Sequence, residues 1–129
     1  MRASCTWQWE SKSTSLVCPG VGEFDDATRF DPIGPGADGR LRYTGEIAPA
    51  WDIAGNANGG FLLAIAARAM ADAVGRPPLS ITAHYLAPGR SGPAEVLVDV
   101  LRAGRRMATA QAVLRGVDGE IIRVLGTFA

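Results

Sequence analysis

Histidine occurs once, at His84, and cysteine twice, at Cys5 and Cys18. One imidazole and two thiols near the chain start make a poor ligand set, so no metal site is expected. Two cysteines in a polar stretch leave a bridge open, although two free thiols are the simpler reading. Lysine is also scarce. Lys12 stands alone among twelve arginines, and thirteen acids bring the net charge to zero. A chain with no cationic excess lacks the electrostatic footprint of a duplex binder, so no nucleic-acid partner is expected. Long hydrophobic runs are missing as well. Gly59–Ala67 is the longest, is cut by Arg68, and is too short to cross a bilayer. Met1–Gly22 carries Arg2, Glu10 and Lys12 with no continuous apolar core, which argues against a secretory signal. A soluble, cytoplasmic protein without membrane association is expected. No glycine-rich phosphate loop with its lysine opens a helix, and no cofactor is expected.

The 129 residues and 13.5 kDa suit one domain. At 47% hydrophobic and 20% charged, the balance is that of a globular chain. Residues 1–22 show no sustained period and read as a mobile tail, with a short strand open around Trp7 and Trp9. Residues 23–129 read as the single domain. Phe24–Phe30 is a short ordered piece of open type. Asp31–Arg40, dense in Pro, Gly and Asp, reads as a turn region.

Leu41–Ile47 alternates and reads as a strand. A loop around Trp51 leads to Asn58, a good N-cap, and then to a helix over Gly59–Val74 stopped by Gly75 and Pro77-Pro78. Phe61, Leu62, Ile65, Ala66, Ala69, Met70 and Ala73 make that helix apolar nearly all round, which predicts burial. The period then switches to two over Leu79–Ala87, Ala94–Arg102, Arg105–Arg115 and Glu120–Phe128. Val117-Asp118-Gly119 carries a hairpin signal. Short connections imply antiparallel neighbours. One long helix gripped by a curved antiparallel sheet is the hotdog arrangement, of class α+β.

Trp51, Asn58-Gly59-Gly60-Phe61-Leu62, the Ala-rich helix, Leu79–Gly89 and Leu101–Arg106, in that order, resemble the N-terminal half of type II acyl-CoA thioesterases. Those proteins are double hotdogs. The resemblance covers roughly Phe24 to Ala129 and implies an acyl-CoA ligand. It comes with two departures. The chain has length for one hotdog, and the family's main catalytic set, an Asp with a Ser or Thr and a Gln, generally lies in the second. Where family members often carry Gln before the hairpin turn of the first half, Val117 stands here.

Thioester hydrolysis needs donors for the carbonyl oxygen, a base for water and a groove for the acyl chain. The amides of Gly59, Gly60 and Phe61 at the helix start are candidate donors; the alternative is that the glycines only allow close packing. Asp52 is the nearest acid and a candidate water-aligning base, or a solvated loop acid. Asn58 orients a carbonyl or water, or only caps the helix. His84 is a substrate contact or a sheet residue. Thr109 and Gln111 share one strand face, in the spacing of a hydroxyl–amide pair. Arg105 and Arg106 suit CoA phosphates, or are solvated charge. Phe61, Leu62, Tyr85 and Met107 are expected to line the groove, or are plain core, and Trp51 gates the groove or anchors the loop. Two readings stay open: a hydrolase working as a homodimer, whose facing subunits rebuild the missing half, and a non-catalytic module that binds acyl groups or pairs with a separate second hotdog. A hotdog hydratase ranks last, since no His stands near the helix start.

Overall fold

The computed structural model describes residues 22–129 in full. Of the first 21 residues it describes only the backbone of β1 (Thr6–Glu10) and β2 (Ser13–Val17), which pair antiparallel. The rest of the stretch expected as a mobile tail, and the question of a Cys5–Cys18 bridge, lie outside the described residues.

The described domain opens with α1 (Glu23–Thr28), β3 (Asp31–Pro35) and β4 (Leu41–Ile47). A 3-10 turn at Pro49–Trp51 leads into a small ribbon of β5 (Asp52–Ile53) and β6 (Asn56–Ala57), and that ribbon into α2 (Gly59–Val74). Four strands finish the chain: β7 (Pro78–Tyr85), β8 (Gly92–Ala103), β9 (Ala108–Gly116) and β10 (Gly119–Phe128). Six strands form one sheet in the order β3-β4-β8-β9-β10-β7, every neighbouring pair antiparallel. The long excursion through α2 carries the chain from β4, near one edge, to β7 at the other.

Alternation fixes which side chains meet the helix. Tyr43, Val96, Val98, Ala110, Ala112, Leu114, Ile122, Val124 and Phe128 pack with Phe61, Leu62, Ile65, Ala66, Ala69 and Met70 in one buried cluster. Small residues bring α2 close. A Cβ on Gly126 would stand 2.9 Å from the Phe128 ring and 3.3 Å from Met70 Cε. The opposite sheet face is mainly polar and charged. No helix is long and apolar enough to cross a membrane among the described residues.

Three elements differ from the sequence reading. Asp31–Pro35 is a strand and not part of a turn, with a register shift between Pro32 and Gly34. An edge strand tolerates proline because its outward amides need no partner. The strand expected from Arg105 begins at Ala108. Gly104 N–H donates to Met107 O at 2.9 Å, so Arg105 and Arg106 belong to the turn. The helix, finally, is not enclosed all round. Leu63, Ala64, Ala67, Ala71 and Val74 are only half-buried, because the sheet curls over one side and the other receives only α1. That short helix is pinned by Arg68, whose Nη1 donates to Asp25 O at 2.7 Å and Thr28 Oγ1 at 2.8 Å.

Candidate functional site

Asn58 holds the start of α2. Its Oδ1 accepts from Gly60 N–H at 2.8 Å and Phe61 N–H at 3.3 Å. This revises the expectation of three free amides: two are taken by the cap, because an N-cap side chain satisfies the orphan donors of the first turn. Gly59 N–H keeps no acceptor among the described residues. Gly59 also lines an open cleft of about 360 Å³ with Ala57, Leu62, Tyr85, Leu86, Ala87, Pro88 and Gly89.

The β5–β6 ribbon orients this corner. Asp52 pairs with Ala57 across the ribbon, Asn58 N–H donates to Trp51 O at 3.0 Å, and Ala57 N–H donates to Gly89 O at 2.8 Å. Asp52 is the acid held next to the helix start, and its Oδ1 is buried with no hydrogen-bond partner among the described residues. Buried polar atoms are nearly always bonded, so an unpaired carboxylate oxygen is a place for a water or a ligand. Trp51 stacks on Phe61 (5.6 Å, 19°) and meets the Phe24 edge at 5.3 Å. Both ring contacts tie the loop to α1 and α2.

Two contacts of this corner are new: Tyr85, expected only as a groove lining, also holds the helix start, and Gly89 was not expected there at all. Tyr85 O–H donates to Gly59 O at 2.7 Å, and the Tyr85 ring lies 3.3 Å from where a Gly59 Cβ would stand. Gly89 admits no side chain either, since its Cβ would fall 2.8 Å from Leu62 Cδ1. The Pro88-Gly89 pair reads in sequence as loop punctuation, and only the fold reveals the contact.

The remaining candidates are placed elsewhere. Phe61 is core, and Met107 is exposed in the β8–β9 turn, so the expected groove keeps only Leu62 and Tyr85 of its four residues. His84 lies on the outer sheet face, opposite Arg123. There it shares a cavity of about 170 Å³ with Arg40, Asp99, Gln111 and Arg123. Gln111 Nε2 donates to Asp99 Oδ2 at 3.3 Å, and Thr109 faces the same side, so neither joins the helix start. Arg105 and Arg106 stand beyond the far end of α2, a helix about 24 Å long at 1.5 Å per residue.

A second polar pair lies along α2. Tyr43 O–H donates to Asp72 Oδ2 at 2.7 Å, beside a cavity of about 210 Å³ that Arg29, Asp31 and Arg68 also line. Burial, with the Asp72 carboxylate beside it, pushes the Tyr43 hydroxyl well above the usual phenol range. On the surface, the Arg123 guanidinium holds Glu120 below the ordinary carboxylate range, and Arg40 does the same for Asp38. Among the described residues no group of three or more His, Cys, Asp or Glu is arranged to hold a metal ion.

Comparisons with known proteins agree with this architecture. The family model for the acyl-CoA thioesterase N-terminal domain matches residues 47–129. A putative thioesterase II from Thermobifida fusca is similar at 30% identity and a TM-score of 0.76, over 83% of this chain and 39% of that one. The tesB protein of Mycobacterium avium subsp. paratuberculosis is similar at 25% identity and a TM-score of 0.72, over 84% of this chain and 42% of that one. This chain thus spans about two-fifths of those relatives. A conserved protein from Pseudomonas aeruginosa shares the fold at 24% identity and a TM-score of 0.70, with 94% of its length covered. No curated protein sequence matches the chain. The apolar helix capped by Asn58, the antiparallel sheet around it and the matched family model establish that this chain is a hotdog protein belonging to the acyl-CoA thioesterase N-terminal domain family.

Proposed function

We propose that the chain hydrolyses acyl-CoA thioesters at the start of α2, working in the cytoplasm as a homodimer. The observation that carries the reading is that the ribbon leading into α2 buries Asp52 Oδ1 with no partner, while Gly59 N–H at the helix start has no acceptor, both among the described residues. The amide sits at the positive end of a sixteen-residue helix, where developing negative charge is favoured. In this reading Asp52 takes a proton from water, whose oxygen attacks the thioester carbonyl. The carbon–sulfur bond then breaks, and the departing thiolate takes up a proton. Asn58 and Tyr85 fix the Gly59 peptide, and Leu62, Leu86 and Pro88 line the path of the acyl chain. Leu79, Tyr85 and Leu86 are exposed on or beside β7, whose outer edge has no neighbouring strand among the described residues. A bare apolar edge favours pairing with a second copy, which would close the cleft on its open side.

The alternative, a binding module without turnover, is favoured by one specific observation. Asn58 occupies two of the three amides that an oxyanion would use. Thiol release from acetyl-, octanoyl- and benzoyl-CoA separates the two. Hydrolysis predicts release with at least one of them and a drop of about a hundredfold or more for Asp52→Asn. Absence of release from all three at high protein concentration, with acyl-CoA binding retained, selects the module. Turnover unchanged in Asp52→Asn removes Asp52 from the mechanism.

A further inference from the structure

The described arginines divide unevenly. Arg29, Arg40, Arg42, Arg68, Arg90, Arg115 and Arg123 each stand within ion-pair distance of a carboxylate. Arg76 donates to the carbonyls of Gly104 (2.9 Å) and Arg105 (3.5 Å). The three left without an acceptor among the described residues are Arg102, Arg105 and Arg106, all at the tip of the β8–β9 hairpin. The sequence explains the isolation, since no acid occurs from Val100 to Val117. In a chain of zero net charge, this end is therefore strongly cationic.

The same end is also greasy. Leu101 is 51% exposed and Met107 55%. The tip is braced, because Gly104 N–H closes the turn on Met107 O and Arg76 ties the turn to the end of α2. None of the clefts described above is lined by these residues. A small anion would bind in a concavity and would have no use for flanking Leu and Met. A hydrogen-bonded tip outside those clefts, offering guanidinium groups beside exposed apolar side chains, fits a soft anionic surface, where cations meet headgroups and apolar side chains enter the interface.

We propose that the β8–β9 tip docks this protein on anionic lipid bilayers through Arg102, Arg105 and Arg106, with Leu101 and Met107 entering the interface. The attachment is peripheral and reversible, and it departs from the expectation, drawn from the sequence, of no membrane association. It lies at the end of α2 opposite the candidate active site, and so leaves that cleft facing away from the bilayer. The proposal does not depend on the reading of the catalytic corner.

Co-sedimentation with vesicles tests it. Binding is expected to vesicles of phosphatidylcholine mixed with phosphatidylglycerol, to weaken as salt is raised, and to be absent from phosphatidylcholine alone. Arg105→Ala with Arg106→Ala should weaken binding about twenty-five-fold, at about fivefold per arginine. Arg29→Ala with Arg90→Ala removes the same charge from paired positions and should change it little. Leu101→Ser with Met107→Ser should reduce the binding that persists at high salt. Four results would overturn the proposal: no binding to the anionic vesicles, equal binding to neutral ones, equal losses in the two arginine pairs, or retention of full binding in the tip variant. Circular dichroism of each variant guards against loss of fold.

Discussion

Single contacts decide how this domain meets changes of pH and sequence. Tyr43 illustrates the point. Its ring is buried in the core cluster and its hydroxyl reaches Asp72 at the half-open side of the helix. In the unfolded chain the phenol ionises near its ordinary value of 10.0, whereas the folded chain keeps the proton to higher pH. The folded state therefore binds more protons than the unfolded one above that value. Stability from this group is complete below about pH 10 and declines as the pH rises toward the raised native value. Tyr43→Phe should flatten that alkaline decline and cost about 1 kcal/mol at neutral pH; urea titrations at neutral pH and above pH 10 measure both. In the sequence Asp72 is one polar residue on a largely apolar helix. Its pairing with a strand residue 29 positions earlier follows from the sheet wrapping the helix, which no local pattern records.

At the scale of elements, the sequence was most readable where one period ran long. The bounds of α2 and β4 follow directly from the Asn58 cap, the Gly75 stop and the alternation of Leu41–Ile47. Gly75 takes φ 73° and donates its N–H to Ala71 O, as a left-handed helix end requires. Irregular segments were harder. Pro32 and Pro35 hid β3, since proline argues against a strand unless the strand is known to be an edge. Of the three candidate amides at Gly59–Phe61, two donate to Asn58. A capping side chain and an incoming oxyanion compete for the same donors, and the cap is always present. Asn58→Ala should cost about 1 kcal/mol, seen as a melting point lower by about 4 °C for a domain of this size. An unchanged melting point would mean that water replaces the cap at no cost.

For the whole molecule, the relevant asymmetry lies between the sheet's two borders. β3 is short, proline-bearing and shifted in register, all features that discourage further pairing. β7 is eight residues long and carries Leu79 and Tyr85 exposed, so nothing blunts it. The expected solution species is accordingly a dimer of twice 13.5 kDa joined along β7. Sedimentation velocity checks this, and Leu79→Lys with Leu86→Lys should return a single-chain mass. A monomer at micromolar concentration would show that the edge stays bare and that the cleft works, if it works, open on that side.

The peptide link between Gly59 and Gly60 is clamped at both of its faces. Its carbonyl receives the Tyr85 hydroxyl, and its N–H is held by Asn58. That link is a fixed stop in an otherwise pliable mouth. Guests of different girth must then be accommodated by the other lip, Leu86 to Gly89, and chain-length preference should be tuned by swapping residues there and not at the helix.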